Sequence, residues 1–111
     1  MKKFYFNFIN SINGFKISIK EHSFIAELLG GMVLIPYLIF SKLDNTEKLI
    51  ILSIYFFLLA FEIVNTAIEK LSDKITDKFD NDIKKVKDLS SSSVFLILIL
   101  LIFTIIFCHF Y

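Results

Sequence analysis

Three stretches of the chain are almost wholly apolar, about 24–40, 49–64 and 94–111. Each approaches the ~20 residues that an α-helix needs to cross a hydrocarbon core about 30 Å thick, so the pattern predicts three transmembrane helices. Ahead of them, Phe4, Tyr5, Phe8, Ile12, Phe15 and Ile19 recur at helical spacing, while Asn7, Asn10, Asn13, Lys16 and Lys20 point mainly elsewhere. A helix over about 4–20 with that division is too polar to cross the bilayer and apolar enough to lie on it. Ser41 to Lys48 reads as a short polar loop between the first two spans. The second span is expected to run about a turn past Asp73 and to give way to a loop around Lys78 to Asp82, where Asp80-Asn81-Asp82 supplies turn chemistry. Gly30-Gly31 lies deep in an apolar run and reads as a close approach of helices, and Ser90 to Ser93 as a packing surface on the third span. Pro36 bends the first span or marks its outer end.

Composition strengthens the membrane reading. Apolar residues make up 56% of 111, with 14 Phe and no Trp. That is more than a soluble core of this size needs, and the length leaves room for one domain, 1–111. All 12 basic residues are Lys, set against 11 acidic ones. With a net charge of +1 and no basic cluster interleaved with stacking aromatics, nucleic acid is not an expected partner. The single cysteine, Cys108, excludes an intrachain disulfide and reads as a lipid-facing or packing residue. Asn7, Asn10, Ser11 and Asn13 interrupt the first apolar run too early for a cleaved signal peptide, so the N-terminus is expected to be retained.

Charge also orients the spans. Four Lys precede the first span and six lie between Lys70 and Lys87, whereas the intervening loop holds only Lys42 and Lys48. Excess Lys marks the cytoplasmic side, which places the N-terminus and the second loop inside and His109 and Tyr111 at the outer interface, where an aromatic belt is expected.

The candidate chemistry lies where polar residues interrupt this pattern. On a helix turning 100° per residue, Glu62, Asn65, Glu69 and Asp73 fall at roughly 0°, 300°, 340° and 20°, a stripe about 80° wide. The stripe grows out of the apolar run Leu49 to Ala60, so Glu62 is expected at or just inside the bilayer edge. An ionisable group there costs about 2.5 kcal/mol or more, which makes a working role the default reading. The full stretch, Glu62-Ile63-Val64-Asn65-Thr66-Ala67-Ile68-Glu69-Lys70-Leu71-Ser72-Asp73, resembles the core motif of the prokaryotic diacylglycerol kinase family, E-x-x-N-[ST]-A-I-E-x-x-x-D, at every fixed position. Downstream, Lys87, Asp88 and Ser91 match the family's Lys-Asp pair and nearby Ser. Upstream, Glu21, Phe24 and Glu27 match its E-x-x-F-x-x-E, although many members carry Arg where this chain has Ile25.

The resemblance implies an all-α integral membrane protein, a surface helix and three spans assembled as a homotrimer in the bacterial cytoplasmic (inner) membrane. It implies transfer of phosphoryl from ATP to 1,2-diacylglycerol, giving phosphatidate, with Mg²⁺ as cofactor. No G-x-x-x-x-G-K-[ST] loop is present, so the nucleotide must be held by metal and cation charge. Glu21 and Glu69 stand at the family's metal-ligand positions, and carboxylates with substrate phosphates suit Mg²⁺. Lys87 suits the phosphate oxygens, with Asp88 and Asp73 orienting it or the nucleotide. Asn65 donates without adding negative charge. Lys3 and Asn10 fall in the segment that helps to form the family's nucleotide site, and Glu27 and Ser91 are expected on the lipid side. Glu62, one turn deeper, is placed to take the proton of the glyceride hydroxyl as general base.

Two rival readings use the same residues. A second branch of the family phosphorylates undecaprenol, but it tends to show Arg-Asn-Phe-Arg with His near Glu27, whereas Phe24-x-x-Glu27 looks like the diacylglycerol branch. Alternatively, Glu62 serves as a relay in a small proton or cation transporter. That reading accounts for Glu62 and leaves Asn65, Glu69, Asp73 and Lys87 without a common purpose.

Overall fold

The computed structural model describes residues 1–111 and contains four α-helices: α1 (Lys2–Ser18), α2 (His22–Phe40), α3 (Asn45–Ile75) and α4 (Asn81–Phe110). The last three are long and apolar enough to cross a membrane. At 1.5 Å per residue, the 19 residues of α2 reach about 28 Å, close to the ~30 Å hydrocarbon layer. The 31 residues of α3 and the 30 of α4 reach about 45 Å. These two helices are joined by the short connection 76–80 and pack against each other as antiparallel neighbours. Their surplus length therefore projects on one side, where the end of α3 after Glu62 runs beside the start of α4.

Central α3 packs on α2 and, more extensively, on α4. The core is small: Leu38, Ile51, Tyr55, Leu58 and Leu101. Phe56, Phe57, Leu96 and Phe103 point outward, as they do on helices whose solvent is lipid. Within the spans, the Ser53 and Thr104 hydroxyls donate to the carbonyls of Leu49 and Leu100, both at 2.7 Å. Neither is left unpaired in an apolar medium. At the end remote from the stripe, the Tyr37 hydroxyl meets His109 Nδ1 at 3.0 Å and ties α2 to α4.

The boundaries refine the expected ones. The loop anticipated over Ser41 to Lys48 is shorter, because Asp44 and Glu47 form a reciprocal capping box that starts α3 at Asn45. The Glu47 N–H donates to Asp44 Oδ1 at 2.8 Å, and the Asp44 N–H donates to Glu47 Oε2 at 3.2 Å. The second loop likewise ends early. Asp80 accepts from the N–H groups of Asp82 and Ile83 at 2.9 and 3.0 Å, so this acidic run caps α4 instead of turning the chain. Pro36 neither ends nor breaks α2, which continues to Phe40. A Cβ at Gly31 would collide with the Tyr55 hydroxyl, whereas nothing lies within 4 Å of one at Gly30. The expected close approach therefore belongs to Gly31 alone. Helix α1 is exposed along nearly all its length, with Ser18 its one buried residue.

Candidate functional site

The stripe on α3 descends from solvent into the bundle. Asp73 is exposed and Glu69 half-buried, while Asn65 and Glu62 retain only 8% and 4% of their exposure. Each position meets a different neighbour, and together those neighbours come from both flanking helices.

At the exposed end, Lys87 Nζ on α4 donates to Asp73 Oδ1 at 2.5 Å and closes the α3–α4 hairpin. Both side chains are substantially exposed, so the pair contributes little to stability, on the order of 0–1 kcal/mol, and leaves the Lys free to turn toward an anion. Asp88, expected beside Lys87 in the same task, is instead paired with Lys84, one turn earlier on α4, at 2.6 Å, and both side chains are exposed. Ser91 is exposed near it.

One turn deeper, Asn65 Nδ2 donates to Glu69 Oε1 at 3.2 Å, and the Ser90 hydroxyl of α4 donates to Asn65 Oδ1 at 2.7 Å. Near the start of α2, Glu21 pairs with Lys70 of α3 at 3.1 Å, beside Glu69 in sequence. No three His, Cys, Asp or Glu side chains converge into an all-protein metal cage. Mg²⁺ does not require one, since it takes one or two carboxylates and completes its octahedron with water and substrate phosphates. The hard oxygens of half-buried Glu69 and of Glu21 fit that ion.

At the buried end, the carboxyl groups of Glu62 and Glu27 lie against each other across the α2–α3 interface. Glu27 Oε2 is buried, and no hydrogen bond within the chain satisfies it. The backbone there is fixed by the Tyr55 hydroxyl, which donates to the Glu27 carbonyl at 2.9 Å. From Glu27 an apolar groove of about 460 Å³ runs along the bundle, lined among others by Gly30, Leu34, Leu58, Leu98 and Leu101.

The fold thus gathers Glu27, Glu62, Asn65, Glu69, Asp73 and Lys87 along the stripe, while Glu21 contacts α3 through Lys70, the neighbour of Glu69 in sequence. Lys3 and Asn10 sit on exposed α1, and neither bonds to the stripe within the chain. Ser90 is the participant that sequence reasoning missed, having been counted with Ser91 to Ser93 as packing. The signal available was the antiparallel hairpin itself, which sends α4 positions after Lys87 back toward α3 positions before Asp73.

The family model described as prokaryotic diacylglycerol kinase matches residues 9–109. No curated protein matches the chain significantly. The match takes in all of α2 and α3 and nearly all of α4, including every one of the buried and paired side chains above. This chain belongs to the prokaryotic diacylglycerol kinase family, membrane lipid kinases that use ATP as co-substrate.

Proposed function

We propose that this lipid kinase is a diacylglycerol kinase. It transfers the γ-phosphoryl group of ATP to the free hydroxyl of 1,2-diacylglycerol, giving phosphatidate and ADP, at the cytoplasmic face of the bacterial inner membrane. It works with its N-terminus inside, as a homotrimer in keeping with its family. The observation that carries the reading is the orphaned acceptor at the head of the apolar groove, Glu27 Oε2 beside buried Glu62. Buried acceptors rarely remain without a donor. A lipid with its chain in the groove brings its one free hydroxyl to this pair, its proton toward Glu27 at rest and turned to Glu62 as the reaction begins.

In this reading Glu62 accepts the hydroxyl proton while the lipid oxygen bonds to the γ-phosphorus and the bond from that phosphorus to the bridging oxygen of ADP breaks. Glu69 and Glu21 would hold Mg²⁺, which would offset the phosphate charge. Lys87 turns from Asp73 to the phosphates, and Asn65 keeps Glu69 in place. Asp88, Lys3 and Asn10 complete the nucleotide contacts, and Ser91 lies toward the lipid headgroup. The test is purified protein in mixed micelles with γ-labelled ATP and either 1,2-diacylglycerol or undecaprenol. Label in phosphatidate is the expected result. Label only in the polyprenyl phosphate would move the chain to the other branch, and label in neither lipid would contradict a kinase role.

A further inference from the structure

The run Ser90-Ser91-Ser92-Ser93 is uniform in sequence and divided in structure. Ser92 and Ser93 return their hydroxyls to their own helix, to the carbonyls of Asp88 and Ser90 at 2.8 and 2.6 Å. Ser90 alone sends its hydroxyl across to α3, to Asn65 Oδ1. Both partners are buried, each at 8% exposure, so the bond is shielded from water.

Its direction is dictated by what lies beyond it. Glu69 as a carboxylate is an acceptor only, so the Asn65 amide must present its NH₂ group to it. The amide carbonyl is then aimed at α4, where it requires a donor, and the Ser90 hydroxyl is the donor that the fold provides. Without it, the carbonyl is buried and unpaired, and the amide loses its reason to hold one orientation over the flipped one, which would set an oxygen against the carboxylate. The geometry points to Ser90 as a positioning residue: its hydroxyl locks the Asn65 amide, and the amide in turn locks the Glu69 carboxylate in the pose that takes the divalent cation of the nucleotide. The inference rests on the reading of Glu69 as a metal ligand. It predicts that a residue touching neither substrate nor metal tunes metal affinity, as partners of ligating side chains commonly do.

The test is Mn²⁺ binding to the full chain in lipid bicelles with a non-hydrolysable ATP analogue, read from the electron paramagnetic resonance signal of free Mn²⁺. Ser90→Ala is expected to weaken binding about 10-fold or more, and Ser90→Thr, which keeps a hydroxyl, to restore most of it. Ser90→Val, which has the shape of the Thr variant without its hydroxyl, repeats the loss should the Ala variant fold poorly. In an Asn65→Ala background, Ser90→Ala should change nothing further, because the relay is already cut. Unchanged affinity in Ser90→Ala, or an equal loss in the Asn65→Ala background, would overturn the relay and leave Ser90 a packing residue. Glu69→Gln separates the two levels. If it loses Mn²⁺ while Ser90→Ala does not, only the relay fails. If Glu69→Gln keeps full affinity, the ligand reading beneath it fails.

Discussion

At Gly31 the absence of a side chain lets the Tyr55 ring lie against α2 and donate its hydroxyl to the Glu27 carbonyl. Gly31→Ala would put a methyl group where that hydroxyl sits, so the ring must withdraw or the helices must part. The expected cost is about 1–3 kcal/mol, measured by unfolding in mixed detergent micelles. Turnover should fall as well, because the turn that carries Glu27 shifts. Gly30→Ala is the matched control: nothing opposes a Cβ there, and the gain in helix propensity, up to about 1 kcal/mol, should leave the protein as stable or more so. A second residue-level expectation concerns charge. Glu69→Gln keeps the shape of the side chain and loses most of its attraction for a divalent ion, so turnover should vanish and Mg²⁺-nucleotide binding weaken. Near-normal activity at ordinary Mg²⁺ would remove Glu69 from the ligand set.

Helix ends carry their own consequences. The capping box of Asp44 and Glu47 satisfies two otherwise orphaned N–H groups at the start of α3. Asp44→Ala should cost about 1 kcal/mol in thermal or denaturant unfolding, without touching the stripe at the far end of the same helix. The box was legible in Asp44-Asn45-Thr46-Glu47, since an acidic residue followed three positions later by Glu is a start signal. Counting polar residues as loop concealed it. The stripe itself was legible because Glu62, Asn65, Glu69 and Asp73 lie on one helix, where spacing alone decides which positions share a face. What spacing within one helix cannot give is the rotation of α4 against α3. Whether Ser90 or Ser91 faces Asn65 depends on how the two helices pack, and four consecutive serines offer no contrast to decide it. The same holds for Glu27 against Glu62 and for Lys70 against Glu21, whose partners come from different helices. The pairing of Asp88 with Lys84 is a local i, i+4 contact. It was available to sequence reasoning and was outweighed by the motif position of Asp88.

Taken whole, the molecule has one span that fits a bilayer and two that overshoot it on the same side, and the overshoot carries the stripe. The Lys-rich segments lie at that end too, and the proposed placement of that end in the cytoplasm, where ATP is, follows the positive-inside rule and can be tested directly. With Cys108 replaced by Ala, Asn45→Cys should be labelled by an impermeant thiol reagent added to intact cells, and Asn81→Cys should not. Both positions are exposed. Labelling in the opposite sense would set the stripe on the side without ATP. The central claim is that depth divides the labour along the stripe, with the lipid hydroxyl met at buried Glu62 and the nucleotide held nearer solvent by Glu69 and Lys87. Steady-state kinetics of Glu62→Gln in mixed micelles test it most directly. Loss of a general base that acts only in the transition state predicts a fall in kcat of about 10²- to 10⁴-fold, with the apparent affinity for Mg-ATP changed by no more than a few fold. Loss of Mg-ATP binding in parallel with rate would instead put Glu62 among the groups that hold the nucleotide and contradict the division.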